Sequence, residues 1–365
     1  MSKISRRGLL HAGVGGLCSA FLRSATEAAD PNSGYKVQDQ QPFAGQTRRL
    51  KLSNGDHYIT SLIFPTDYPT HFRLKPELYP VCTPQGIPVT DTHSFSFIHH
   101  QSIMTGHGKV RVDGASRDLD FYRQLPPPDE KRKDPFHTGH NLFQMGPSGI
   151  QRVTNAKWNV TSGIHLVLTL QWQSREKHSA GGEPLVIEQR RYKVWQRGAL
   201  TIIDQHSHLV PAGKPFTLKA DRHSFVGVRV HDLIDPEEGG LMRDSLQRVN
   251  PDGNYWDQQG DRKAPNWIDC TGKIGNNVVG VAIFGHPDNI RNEFYCRPWG
   301  LMICSATLGH DVHVDDDQPF QFAARFVAHD GELKHEDANN LYDEFAATRY
   351  NGADSEDRRG DRSLD

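Results

Sequence analysis

Leu166-Val167-Leu168-Thr169-Leu170-Gln171-Trp172 decides the fold class. In an extended chain Leu166, Leu168, Leu170 and Trp172 share one face, and Val167, Thr169 and Gln171 take the other. Phe320, Phe322, Ala324, Phe326 and Ala328 repeat the alternation near the end of the chain. Val226 to Val230, Val278 to Phe284 and Leu301 to Ser305 read as further strands. Turn signals punctuate them: Ser53-Asn54-Gly55-Asp56, Pro84-Gln85-Gly86, Asp113-Gly114, Pro251-Asp252-Gly253 and His329-Asp330-Gly331. Many short strands with such turns predict an all-β fold, a large antiparallel β-sandwich. One short C-terminal helix is predicted over residues 335–348. There Ala338, Leu341, Tyr342, Phe345 and Ala346 follow helical spacing behind the acidic Glu336 and Asp337.

With 36% hydrophobic and 24% charged residues, the 365-residue chain is too polar for a multi-span membrane protein and too apolar for a disordered one. Lys and Arg number 42 against 44 Asp and Glu, so no basic excess points to nucleic acid or to an anionic membrane surface. Ser5-Arg6-Arg7-Gly8-Leu9-Leu10, ahead of a weakly apolar run, looks like a bacterial twin-arginine export signal with a cut after Ala28. The expected organisation is therefore a signal over residues 1–28, a single sandwich domain over 29–349, and a disordered tail over 350–365. The expected location is the periplasm or the outside of the cell. Cys82, Cys270, Cys296 and Cys304 remain after such a cut, with no metal-type spacing, and are expected to be free and buried. Two polar stretches, Pro126 to Pro135 and Asp235 to Pro265, read as long loops.

Histidine is the compositional anomaly, with 20 residues, and it suits metal ligation or proton transfer near neutral pH. The densest group is Phe97-Ile98-His99-His100 followed by Gly106-His107-Gly108. On a regular strand His99 and His107 share a face and His100 takes the other, so a turn or bulge is needed to bring both neighbours into one pocket. Asp204, His206 and His208 alternate onto one face, with the histidines about 6.6–7 Å apart at Cα. His286 and Asn289 follow a strand end, where loops carry sites. Arg229 lies among Val226, Val228 and Val230, and Arg297 precedes Pro298-Trp299. Arginines so placed pair with carboxylates or bind anionic ligands. Serine-hydrolase, nucleotide-loop and zincin motifs are absent from the sequence.

Several motifs together resemble a family of unknown function labelled "methane oxygenase PmoA-like". They are Glu77-Leu78-Tyr79-Pro80-Val81-Cys82-Thr83-Pro84-Gln85-Gly86, His99-His100 through Asp120-Phe121-Tyr122, Asn266-Trp267-Ile268-Asp269-Cys270, Val281 to Asn289, and Arg297-Pro298-Trp299-Gly300-Leu301. The resemblance spans roughly residues 70 to 332. Members often carry Asp-His-Pro-His-His where this chain has Ser96-Phe97-Ile98-His99-His100, so one acid and one histidine are missing. The resemblance implies an exported sandwich of the supersandwich, galactose-mutarotase-like kind, whose members often handle carbohydrates.

The expected function is that of a carbohydrate-active enzyme of lyase, hydrolase or epimerase type. Its expected partner is a small sugar or glycan fragment, with no nucleic acid and no membrane span. His99, His100, His107 and His286 are the candidate catalytic groups. Arg229, Arg297, Trp267, Trp299 and Asn289 are the candidate substrate-binding groups. No metal ligand set is assigned, and the cofactor is left open. The alternatives are a non-catalytic glycan-binding module and a metal-dependent oxidoreductase. At least three of His99, His107, His286, Arg229 and Arg297 are expected to line one pocket.

Overall fold

The computed structural model describes residues 34–40, 47–65, 74–92, 99–123, 149–174, 182–256, 259–349 and 362–363. In chain order the strands are β1 (Tyr35–Gln40), β2 (Thr47–Asn54), β3 (His57–Pro65), β4 (Glu77–Leu78), β5 (Ile103–His107), β6 (Val110–Val112), β7 (Gly149–Val160), β8 (Ile164–Ser174), β9 (Pro184–Arg197) and β10 (Leu200–Pro211). They continue with β11 (Phe216–Leu218), β12 (Ser224–Arg229), β13 (Leu241–Asp244), β14 (Gly253–Tyr255), β15 (Trp267–Ile274), β16 (Asn277–Gly285), β17 (Glu293–Arg297), β18 (Leu301–Ser305), β19 (Val312–Val314) and β20 (Phe320–Asp330). The helix α1 (His335–Ala346) follows, and the two-residue β21 (Arg362–Ser363) pairs with Trp158 and Lys157 of β7. The expected signal, the stretch Pro126 to Pro135 and most of the expected tail lie outside the described residues.

Two antiparallel sheets form the body. The first runs β1-β2-β3-β4-β5-β12-β18-β17-β14, and the second runs β13-β15-β16-β20-β10-β9-β8-β7-β21. A small sheet, β19-β11-β6, sits beside them. The expected antiparallel sandwich with one short C-terminal helix is what the chain forms. The stretch Asp235 to Pro265 differs from its reading as one long loop, because β13 and β14 lie within it as edge strands of the two sheets. Edge strands of three or four residues bury one or two side chains and leave too short a period to read.

Alternation assigns each sheet face. Leu166, Leu168, Leu170 and Trp172 of β8 point into the shared core, as do Phe320, Phe322 and Phe326 of β20. Val226 and Val228 of β12, and Met302 and Cys304 of β18, meet them from the first sheet. The ring of Trp172 lies 5.0 Å from Phe121 and 6.4 Å from Phe225, across the gap between the sheets. On the outer face of the second sheet, Ile202, Phe284 and Val327 pack under Ala338, Leu341 and Phe345 of α1. On the outer face of the first sheet, Met104, Tyr295, Leu301 and Ile303 pack with Tyr122 and Leu308. Cys82, Cys270, Cys296 and Cys304 are free and buried.

The core also holds an ion pair. Arg190 and Glu188 of β9 are both fully buried and meet at 2.7 Å through Nε and Oε1. Trp172 Nε1 donates to Glu188 Oε2 at 2.8 Å, and Arg190 Nη2 donates to Gln151 Oε1 at 3.0 Å. Gln151 Nε2 then donates to the carbonyl of Thr105 at 2.9 Å, and Gln205 Nε2 donates to the Thr105 hydroxyl at 2.6 Å. The chain of bonds thus runs from the second sheet to β5 of the first. Removing one partner leaves an uncompensated buried charge. We expect Glu188→Leu to destabilise the fold by about 3–5 kcal/mol in urea titrations, and the double change with Arg190→Met to recover most of that loss. Equal loss in the single and double variants would show that the pair is not the source.

Candidate functional site on the outer face of the first sheet

The segment 99–123 and the start of β12 build one cluster. His99 lies 4.4 Å from His100, 5.9 Å from Tyr122 and 6.5 Å from His223, ring centre to ring centre. Tyr122 and His223 are 5.3 Å apart. His99, His223 and Arg123 are partly exposed, while His100, Tyr122, Lys75, Asp120 and Asp221 are buried behind them. The turn anticipated at His99-His100 is present at His99, and both rings reach the same cluster.

Two glycines allow this packing. A Cβ on Gly106 would stand 2.6 Å from the carbonyl of Phe121 and 3.2 Å from Cα of Tyr122. A Cβ on Gly108 would collide with the Asp221 carboxylate. The bare backbone of the motif therefore admits both segments that carry the cluster. The histidine between the glycines does something else. His107 is fully buried; its Nδ1 accepts from the Lys109 amide at 3.1 Å, and its Nε2 faces the Thr307 hydroxyl at 3.0 Å. An Nδ1 that accepts leaves the proton on Nε2, so this is a neutral ring donating to Thr307.

Lys75 is buried and anchors the segment from below. Its Nζ donates to the carbonyls of Tyr122 at 2.6 Å and His99 at 3.1 Å, and stands 4.9 Å from the Tyr122 ring centre. Burial pushes its amine down to about 7, against the pull of Asp120 and Glu77. Arg123 bonds Asp120 Oδ2 at 2.7 Å through Nη1 and approaches His223 Nδ1 at 2.6 Å through Nη2. Asp221 Oδ1 stands 3.1 Å from the same Nδ1, so the guanidinium, which only donates, favours an accepting Nδ1 while the carboxylate, which only accepts, favours a protonated one. Burial and the Arg123 charge lower the pKa of His223, with Asp221 opposing. Burial, followed by the neighbouring charge of His99 and that of Arg229, holds His100 well below the ordinary histidine value.

The remaining candidates divide between the two sheets. Arg229 faces outward at the end of β12, buried, paired with Asp232, and among the charges acting on His100. Arg297 points outward from β17, bonds Asp252 at 3.1 Å and stacks 4.2 Å from the centre of the Trp299 ring. His99, Arg229 and Arg297 thus share one face, along which they are spread. His286, Trp267 and Asn289 lie with the second sheet and the helix. His286 Nε2 faces the Thr348 carbonyl at 3.2 Å, and its ring meets Phe345 at 4.8 Å. Trp267 Nε1 donates to Asn339 at 2.9 Å. Asn289 clamps the backbone of Ala323 through both its amide atoms, at 2.8 and 2.9 Å. These three hold α1 and the end of β16, and the structure does not bring them to the His99 cluster. Asp204 of the Asp204, His206, His208 group pairs with Arg325 at 2.6 Å beneath the helix.

Reading for histidines alone missed Lys75, Arg123, Asp221 and His223. The signal available was Asp221-Arg222-His223, immediately ahead of the strand Val226 to Val230. A hollow of about 410 Å³ lies elsewhere, between α1 and residues 245–266, with Lys263, Asn266, Asn339 and Asp343 in its wall. Among the described residues no group of three or more His, Cys, Asp or Glu is arranged to hold a metal ion, and no helix is long and apolar enough to cross a membrane.

Residues 49–343 match the profile of a family of unknown function, DUF6807. The chain belongs to this family. The family's description assigns no activity. No curated protein matches the chain in sequence. Among solved structures it is similar to a candidate mutarotase from Salmonella typhimurium, at 10% identity and a TM-score of 0.29, over 80% of this chain and 97% of that one. A candidate aldose 1-epimerase from Escherichia coli K12 gives 7% and 0.30 over 82% of this chain and 100% of that one. The 4-alpha-glucanotransferase from Thermococcus litoralis gives 8% and 0.24, over 82% of this chain and 40% of that one. Likenesses at these scores carry no argument about the site.

Burial lowers the pKa of His107 from 6.5 to about 4. Between those values the unfolded chain binds a proton that the folded chain refuses. The neutral ring is therefore fully tolerated above pH 6.5, and stability falls as pH drops through the window. We expect the His107 contribution to reach about 3 kcal/mol lost by pH 4. Urea midpoints of wild type and His107→Gln between pH 7 and 4 check this: the variant should show the shallower decline.

Proposed function

We propose that the outer face of the first sheet binds a sugar or glycan fragment and moves protons on it through His99, His100 and His223. The observation that supports this most is the single cluster of three imidazoles, two of them shifted below the ordinary histidine value and both approached by arginines. A neutral imidazole accepts a proton from a sugar hydroxyl or ring carbon. His223, set between Arg123 and Asp221, returns a proton from its protonated ring to a leaving or ring oxygen. Arg123 holds that ring in place, and Trp299 under Arg297 offers an aromatic surface on the same face.

Incubating the protein with a panel of mono- and oligosaccharides, with products followed by NMR, tests the reading. His223→Ala and His99→Ala should each lower turnover by about a hundredfold or more. Because the shifts run downward, the base forms persist below pH 6.5, and the acid limb of kcat/KM should fall below that value. Saturable binding with no product would favour a glycan-binding module. The methane-oxygenase label calls instead for metal-dependent oxidation; one equivalent of metal per chain, in protein purified without a histidine tag, would favour that over our reading.

We also propose export by the twin-arginine route, on the strength of Arg6 and Arg7 ahead of the apolar run. Replacing both with lysine should leave the precursor in the cytoplasm in fractionation assays. Unchanged export would refute the assignment.

A further inference from the structure

At the far side of the same face β17 presents Glu293, Tyr295 and Arg297 outward. Glu293 is only 2% exposed. Its Oε2 accepts the amides of Leu308 at 2.6 Å and Gly309 at 3.2 Å, and its Oε1 lies 2.7 Å from His310 Nδ1. A carboxylate is an acceptor only, so His310 carries a hydrogen on Nδ1, and in the neutral ring the lone pair is on Nε2. The His310 side chain is half exposed. Trp256 is exposed beside it: a Cβ on Gly309 would stand 3.9 Å from Glu293 Oε1 and 4.0 Å from Trp256 Cγ. Between this group and His223 the face is paved by Tyr295, with Arg222, the residue before His223, 5.9 Å above its ring.

We propose that Glu293, His310 and Trp256 form a second sugar-binding position, so that the face takes a linear glycan rather than one sugar. His310 Nε2 accepts a ligand hydroxyl hydrogen, Trp256 stacks on the apolar side of a ring, and Glu293 is the positioning residue that fixes the His310 tautomer. The arrangement needs no unpaired buried charge, since Glu293 already receives three N–H groups. The proposal rests on the sugar reading above and extends it from monosaccharide to chain.

Calorimetry with glucose, galactose, mannose and their linear tetrasaccharides tests it on the full chain. A tetrasaccharide should bind at least about tenfold more tightly than its monosaccharide, and Trp256→Ala and His310→Gln should each remove about that factor while leaving monosaccharide affinity unchanged. Both positions are exposed, so these variants should fold. Nitrogen NMR of His310 should show hydrogen on Nδ1 in wild type and a rise of the Nε2–H form in Glu293→Gln. Tetrasaccharide binding unchanged in both surface variants, alongside loss in His223→Ala, would overturn this position and leave the His99–His223 reading standing. Wild-type His310 with its hydrogen on Nε2 would overturn the role of Glu293. No saccharide bound by the wild type would overturn both readings.

Discussion

A guanidinium and a carboxylate buried between two sheets set the terms for the rest of this molecule. Arg190 and Glu188 are tolerated there because they answer one another and borrow further partners: Trp172 and Arg190 on the carboxylate, Glu188 and Gln151 on Nε and Nη2 of the guanidinium. Such a pair adds less to stability than an apolar core of the same volume, but it tolerates few alternative arrangements. Through Gln151 it reaches the carbonyl of Thr105, whose hydroxyl takes a separate bond from Gln205. Thr105 immediately precedes Gly106. The register of β5 against the second sheet is therefore held by polar bonds, which are directional where apolar contacts are not.

From that fixed strand the candidate site is assembled by close approach. Gly106 and Gly108 let residues 120–123 and 221–223 lie against β5. The same approach buries Tyr122, Asp120 and Lys75, leaving His99, His223 and Arg123 at the surface. Desolvation then lowers buried Lys75 and His100 and the partly exposed His223, and raises buried Asp120. The shifts follow from packing, and the packing follows from two missing Cβ atoms.

Much of the fold was legible because its period is short. Leu166 to Trp172 and Phe320 to Ala328 each alternate over seven or more residues, and both became core strands. The turn glycines Gly55, Gly86, Gly114, Gly253 and Gly331 all take positive φ, as their sequence contexts implied. The helix begins at His335, where the acidic first turn placed it. Less of the site was legible. His99 and His100 stood out as neighbours, whereas His223 and Arg123 are 100 residues apart and meet only in space. His286, Trp267 and Asn289 carried the same kind of signal as His99, yet they serve α1 and the end of β16.

By itself the sequence determined the long strands, the turns and the amphipathic helix α1, since each depends on neighbours within a few residues. The tertiary structure alone decided which polar residues meet. A histidine with glycines on both sides reads as chemistry, but here the glycines make room and His107 is a neutral donor to Thr307. Whether an imidazole faces solvent, a helix or a buried hydroxyl depends on which strand lies beside it. That pairing is set by long-range register, through bonds such as those from Gln151 and Gln205 to Thr105, which no local pattern encodes.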